Sequence, residues 1–302
     1  MDHHRSIMMT IQWPGEWRET VAWVGGGICL LMLCLAATFP YEALHKRIVA
    51  ELNRATGMDI RVGNWTVGLP LGIEWRNVTL AKSDWAPIQL ASLQADVGII
   101  QALSGGLGLD VVIHLGEASP GGGLAKGTLT ASSFSLAEPV SVAGRFQQID
   151  LSKIIRPYVG HGMLNGTFSH RVERAHTADG TIKGEGTWKA EATDLTIDHI
   201  PVGNGRTLSL AFNQASTELV CKDSLCEVTG LKGEGPDGSF TGDGKITLQQ
   251  PIQDSRLALT VTIVPGEGYT SKATTLGLPP LPPGTPITVK IAGTLAQARI
   301  AL

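Results

Sequence analysis

The chain has 302 residues, a formal net charge of −3 and a pI near 6.2, so no basic field points to nucleic acid. Charged residues are 17 % and glycines number 37, a balance that disfavours long soluble helices and favours many short strands and turns. The length holds one large domain or two small ones.

Residues 1–20 form a short polar tail without a motif, assigned to the cytoplasm. Residues 21–39 carry no charge and include Val21, Trp23, Leu30, Leu33 and Phe39. A helix of that length spans about 28 Å, close to the ~30 Å hydrocarbon core of a bilayer. Trp17 and Trp23 at one end and Phe39 and Tyr41 at the other match interfacial aromatic belts. The run is longer than the apolar core of a signal peptide, and Leu33 before Cys34 breaks a lipobox. The expectation is a retained transmembrane anchor; a cleaved signal and a buried soluble helix are the alternatives. Ala22 and Gly26 form a small-xxx-small pair, which either packs on a partner helix or is merely tolerated in a lone span. Cys29 and Cys34 read as apolar filler.

Residues 40–57 predict an amphipathic helix, restarted by Pro40. Leu44, Ile48 and Leu52 recur at spacing four, Glu42 and Lys46 form an i,i+4 pair, and Gly57 is the stop. The helix is expected to cap one end of a β domain; lying on the membrane surface is the other reading.

From Asp59 the period becomes two. Strands are expected at 59–62 and 72–76, with 78–80 continuing on the opposite face, then at 88–97, 111–115, 127–131 and 140–146. Further strands are expected at 162–172, 180–192, 208–212, 217–221, 226–231, 239–248, 257–263 and 287–295. Asp179-Gly180, Asp237-Gly238 and Asp243-Gly244 are hairpin signals. One short helix is expected at 151–156, and the proline-rich residues 276–286 read as a stiff connector. The fold class is therefore mainly β: a single N-terminal transmembrane helix, then a curved antiparallel sheet, open or rolled, over residues 58–302.

Cys221 and Cys226 are separated by Lys-Asp-Ser-Leu and flanked by strand pattern. A disulfide closing a hairpin fits; a metal pair and two free thiols are the alternatives. A disulfide would place the domain in an oxidising compartment, with the tail inside and the domain outside.

No metal-ligand spacing, nucleophile elbow, phosphate loop or dinucleotide fingerprint occurs, so no enzyme, cofactor or metal site is expected. The glycine runs at 105–108 and 121–123 read as loops. His170 and His176 around Glu173 read as a solvated turn.

Thr38-Phe39-Pro40-Tyr41-Glu42-Ala43-Leu44, then Ala55-Thr56-Gly57-Met58-Asp59-Ile60-Arg61-Val62-Gly63, Leu69-Pro70-Leu71-Gly72-Ile73 and Trp75-Arg76-Asn77-Val78-Thr79-Leu80 resemble the start of the type II secretion system protein N (GspN) family. They also resemble AsmA-like inner-membrane proteins. Gly144-Arg145-Phe146, Ile149-Asp150-Leu151 and Leu164-Asn165-Gly166-Thr167 are similar to the repeating units of AsmA-like sheets. The resemblance implies an accessory component of the secretion apparatus, held in the bacterial inner membrane with its C-terminal domain in the periplasm. Its partners would be inner-membrane and periplasmic secretion subunits. The alternative is an AsmA-like lipid-handling protein, with Ile73, Trp75, Val140, Val142, Leu208 and Leu210 lining an acyl-chain groove; ordinary core packing is the plain reading of the same residues.

Overall fold

The computed structural model describes residues 15–38, 40–68, 72–82, 85–98, 101–102, 104–116, 122–133, 139–155, 159–174, 183–201, 206–249, 254–277, 284–295 and 297–301. The chain forms two compact units, Met1–Glu51 and Leu52–Leu302.

In the first unit, α1 (Gly15–Thr38) runs as one helix of 24 residues through the charge-free stretch. Its described apolar side chains are bare: Trp23 is 82 % exposed, Leu30 65 % and Val21 59 %. The side chains of residues 15–18, 20, 28, 29, 32, 33 and 35–37 lie outside those described, Leu33 among them, and so does the whole of Phe39. Among the described residues no helix is long and apolar enough to cross a membrane, so the expected span receives no support there. The helix α2 (Tyr41–Thr56) begins where the Pro40 carbonyl accepts the Leu44 N–H at 3.1 Å. It ends at Gly57, whose φ of 66° is the left-handed turn that glycine adopts without penalty. Lys46 Nζ meets Glu42 Oε1 at 2.7 Å, the i,i+4 pair the spacing predicts. In the second unit, Asn53 in the last turn accepts the Ile60 N–H at 3.0 Å.

The rest is one sheet. Its strands are β1 (Asp59–Gly68), β2 (Gly72–Lys82), β3 (Trp85–Val97), β4 (Leu107–Leu115), β5 (Leu124–Ala131), β6 (Val140–Asp150) and β7 (Val159–Arg174). They continue as β8 (Lys183–Pro201), β9 (Thr207–Asp223), β10 (Leu225–Gly235), β11 (Gly238–Thr247), β12 (Arg256–Pro265), β13 (Ile287–Thr294) and β14 (Gln297–Ala301). Each strand pairs antiparallel with its sequence neighbours, and the order β1 to β14 has no crossover. The first and last strands do not pair with each other, so the sheet is open. A 3₁₀ turn (Leu151–Lys153) and a helix α3 (Glu267–Thr275) complete the unit.

Several expectations change. Residues 208–212 and 217–221 are one strand, β9. The short helix is confined to the 3₁₀ turn. Asp237-Gly238 is the turn joining β10 to β11, but Asp243-Gly244 lies inside β11; Asp179-Gly180 falls outside the described residues. Gly244 has a packing role: a Cβ there would sit 2.6 Å from Leu259 Cδ2 on the next strand.

The largest correction concerns strand phase. Val78 was expected on the face opposite Trp75, yet both are buried, at 1 % and 2 % exposure. Between them Asn77 adopts φ 54°. The same slip recurs at Gln148 (φ 52°), Asp194 (φ 52°), His199 (φ 59°) and Gly230 (φ 64°). Each sits within a three-residue step between apolar residues: Phe146 to Ile149, Ala192 to Leu195, Ile197 to Ile200 and Val228 to Leu231. Three of these steps coincide with breaks in the ladder register. One left-handed residue per slip resets the alternation, so apolar side chains stay on one face through long, twisted strands. Asn77→Ala is expected to cost about 1–2 kcal/mol and Asn77→Gly almost nothing, because only glycine and asparagine-like residues adopt this conformation cheaply. Urea denaturation of the two variants checks it; equal stability would remove the argument.

Among the described residues no second layer covers the apolar face, and the sheet uses its own side chains. Phe168 lies across Gly144, where a Cβ would come within 2.6 Å of its Cζ. Phe146 covers Gly166 in the same way, and Phe240 covers Gly233. These three strand glycines are seats for the rings that cross them. A denser core forms where the 3₁₀ turn folds back: Leu151, Val159, Ala192 and Ala215, packed by Leu164, Leu195 and Phe240. Phe212 and Phe240 meet edge to face at 5.0 Å. The opposite face carries cross-strand ion pairs, Lys189–Glu218 at 3.1 Å and Lys245–Glu227 at 3.4 Å.

Candidate functional site

The feature that distinguishes this sheet is the continuity of its apolar face. One transverse row runs Val67, Ile73, Ala95, Val111, Gly127, Gly144, Phe168, Trp188, Leu219, Val228, Gly244, Leu259 and Ile291, each directly opposite the next. It crosses thirteen strands without a polar side chain. Phe168 and Trp188 stack at 4.9 Å within it. The adjacent row runs Val97, Leu109, Leu129, Val142, His170, Gly186, Cys221, Cys226, Ile246 and Leu257. Its one titratable side chain is His170.

The six residues proposed from sequence to line a groove share this face. Trp75 and Leu208 are buried at 2 % and 5 % exposure, and Ile73, Val140, Val142 and Leu210 are half-buried. Val142 pairs with His170, and Leu210 with Ile197. The sheet thus brings together residues from β2, β6 and β9, although β2 and β9 lie at well-separated positions along the row.

Cys221 and Cys226 are directly opposite across the β9–β10 hairpin, with Cα atoms 3.9 Å apart, and are joined by a disulfide. The turn is made by Asp223 (φ 55°) and Ser224, the two-residue connection that suits the twist of the flanking strands. Closing a loop of about six residues contributes ~2 kcal/mol in the chain-entropy account. Both sulfurs sit on the apolar face, where the cysteines are 3 % and 2 % exposed. Cys34 is a free cysteine.

His170 was read as part of a solvated turn and is not. It lies inside β7, two residues from Phe168 and two from Val172, which puts it on their face; it is 9 % exposed. The imidazole rests against Gly184 and Gly186 of β8. Its Nδ1 has no hydrogen-bond partner among the described residues. Glu173 points to the exposed face, and His176 is outside the described residues. Burial pushes the His170 pKa below its ordinary value. The unfolded chain then binds a proton that the folded sheet resists, so stability is full above about pH 6.5 and falls as pH drops below it. The melting temperature is expected to decline from pH 7 to pH 5, and His170→Leu to flatten that decline without loss at pH 7. A variant with the wild-type slope would show that the titration lies elsewhere.

A second polar feature that the sequence did not disclose is at the β10–β11 turn. Asp237 is buried, its side chain only 1 % exposed. Its Oδ2 accepts from the Ala211 N–H at 2.6 Å and from Lys272 Nζ on α3. Lys272 Nζ also donates to the Ser209 carbonyl at 3.1 Å. Strand β9 extends past the end of β10, whose last contacts reach only Gln214. The pair supplies one acceptor and one donor to the backbone of β9 where its neighbour has run out. Nothing at sequence level marks a lysine and an aspartate 35 positions apart as partners.

Among the described residues no group of three or more His, Cys, Asp or Glu is placed to hold a metal. The chain matches no protein-family model, no curated protein and no solved structure.

Proposed function

We propose that this chain is a non-catalytic accessory component of the bacterial type II secretion apparatus. In this reading α1 anchors it in the inner membrane and the sheet stands in the periplasm. The observation that carries the reading is the order of parts: a 24-residue helix with bare apolar side chains, a short amphipathic helix, then an open meander sheet closed at one hairpin by a disulfide. A disulfide persists in an oxidising compartment, which fits the periplasmic side. On α1, a Cβ built at Gly25, Gly26 or Gly27 would meet nothing within 4 Å beyond the helix's own backbone, which leaves room at the Ala22/Gly26 pair for a neighbouring helix. Deleting the gene is expected to impair export of the secreted proteins, and the protein to co-purify with inner-membrane secretion subunits. Normal export in the deletion strain would overturn the assignment.

The uninterrupted apolar row favours a second reading, in which the face holds lipid acyl chains in the AsmA manner. Native mass spectrometry after gentle solubilisation tests it. Bound phospholipid lost in Val142→Asp supports it; a lipid-free chain rules it out.

A further inference from the structure

His170 carries a polar group that its surroundings do not answer. The ring is 9 % exposed, and its Nδ1 has no hydrogen-bond partner among the described residues. A buried polar atom left unpaired costs about 1–3 kcal/mol, so its retention in the fold calls for a partner. Strands β6 and β8 flank it. The residues they turn to its face are Val140, Val142 and Gly144 on β6, and Gly184, Gly186 and Trp188 on β8. None of these is charged or titratable. From the ring, Val142, Leu129, Leu109 and Val97 follow one another across β6, β5, β4 and β3. All four are half-buried, so each keeps apolar surface to offer. Four strand spacings make this track about 19 Å long, the reach of a long acyl chain. On its other side the ring itself covers Gly186. With no Cβ beneath it at Gly184 or Gly186, the ring can turn about its Cβ–Cγ bond and bring Nδ1 towards Val142.

We propose that this part of the face binds a long-chain carboxylic acid, its acyl chain along Val142, Leu129, Leu109 and Val97 and its carboxyl group hydrogen-bonded to His170. The acid O–H donates to a neutral imidazole nitrogen. The two groups share one proton, so the complex adds no net charge to the apolar surface. A phosphodiester head group stays anionic, and neither apolar row holds a cation to meet it. The imidazole is thus the recognition point that selects a free fatty acid from other molecules with acyl chains. The inference rests on the lipid reading above and narrows it to one class of ligand.

The test uses the full chain in amphipol, with palmitic acid and its methyl ester as probes. The ester keeps the chain and loses the donor. The parent is expected to bind the acid about ten-fold more tightly than the ester, the worth of one buried hydrogen bond. In His170→Leu that preference is expected to disappear. The imidazole ¹⁵N resonances of His170 are expected to shift with the acid and not with the ester. Equal binding of acid and ester by the parent, or a preference that survives in His170→Leu, overturns the proposal and leaves the broader lipid reading standing. A His170 signal unmoved by the acid overturns it even where His170→Leu fails to fold. A chain that binds neither probe also overturns it, and the phospholipid measurement above then reads the broader reading separately.

Discussion

Replacing Lys272 by methionine is expected to destabilise the sheet domain by about 3 kcal/mol. Removing one partner of a buried ion pair leaves the other charge desolvated, typically at ~3–5 kcal/mol. The lower end applies because Lys272 is 41 % exposed while Asp237 is 1 % exposed. The carboxylate keeps the Ala211 N–H, which cannot neutralise it, and the Ser209 carbonyl loses its donor. Adding Asp237→Asn to Lys272→Met is expected to recover more than half of the loss, since the amide oxygen still accepts from Ala211 without carrying charge. Urea titration of both variants reads the difference, and exchange at Ser209 and Ala211 shows whether the edge of β9 opens first. A Lys272→Met chain within about 0.5 kcal/mol of the parent, as for an ordinary surface pair, would sink the argument.

Gly166→Val is expected to cost about 3 kcal/mol or more. A Cβ at this position meets the Lys189 carbonyl oxygen and comes within 2.6 Å of Phe146 Cε2. The ring can tilt, but the carbonyl belongs to the β7–β8 ladder and cannot. Overpacking of this kind typically costs ~1–3 kcal/mol, with backbone collisions above that range. Gly127 supplies the contrast: a Cβ there meets the Ala143 carbonyl at 3.3 Å and Phe168 Cζ at 3.6 Å. Gly127→Ala is therefore expected to stay within about 0.5 kcal/mol of the parent. Thermal melts of the two variants side by side check the claim. Similar losses at both positions would mean that strand glycine, rather than ring seating, sets the cost.

The alternation of apolar residues was legible in the sequence, and it located most strands of the sheet. Its phase was not. A reader counting by twos from Trp75 puts Val78 on the wrong face, because Asn77 looks like any polar strand residue until its φ of 54° is known. The joining of 208–212 to 217–221 was hidden for a related reason: Phe212 and Ala215 are both buried at a three-residue spacing, which breaks period two without ending the strand. The helix α3 escaped notice since Glu-Gly-Tyr-Thr-Ser-Lys-Ala-Thr-Thr has weak helix formers and no apolar stripe; Ala273, fully buried, and Lys272 hold it in place. His170 could have been found from its parity with Phe168 and Val172, which was on the page. The Asp237–Lys272 pair could not, because it joins a turn to a helix through tertiary placement alone.

The unbroken succession β1 to β14 has a consequence for how the protein is made. Every ladder joins segments adjacent in the sequence, so no strand waits for a distant partner. The sheet can grow by one hairpin at a time from its first end as the chain emerges, with each addition stabilised by the strand just laid down. The same logic makes its width adjustable: inserting or deleting a hairpin away from the 3₁₀ turn and α3 changes the span of the sheet while leaving every other ladder intact.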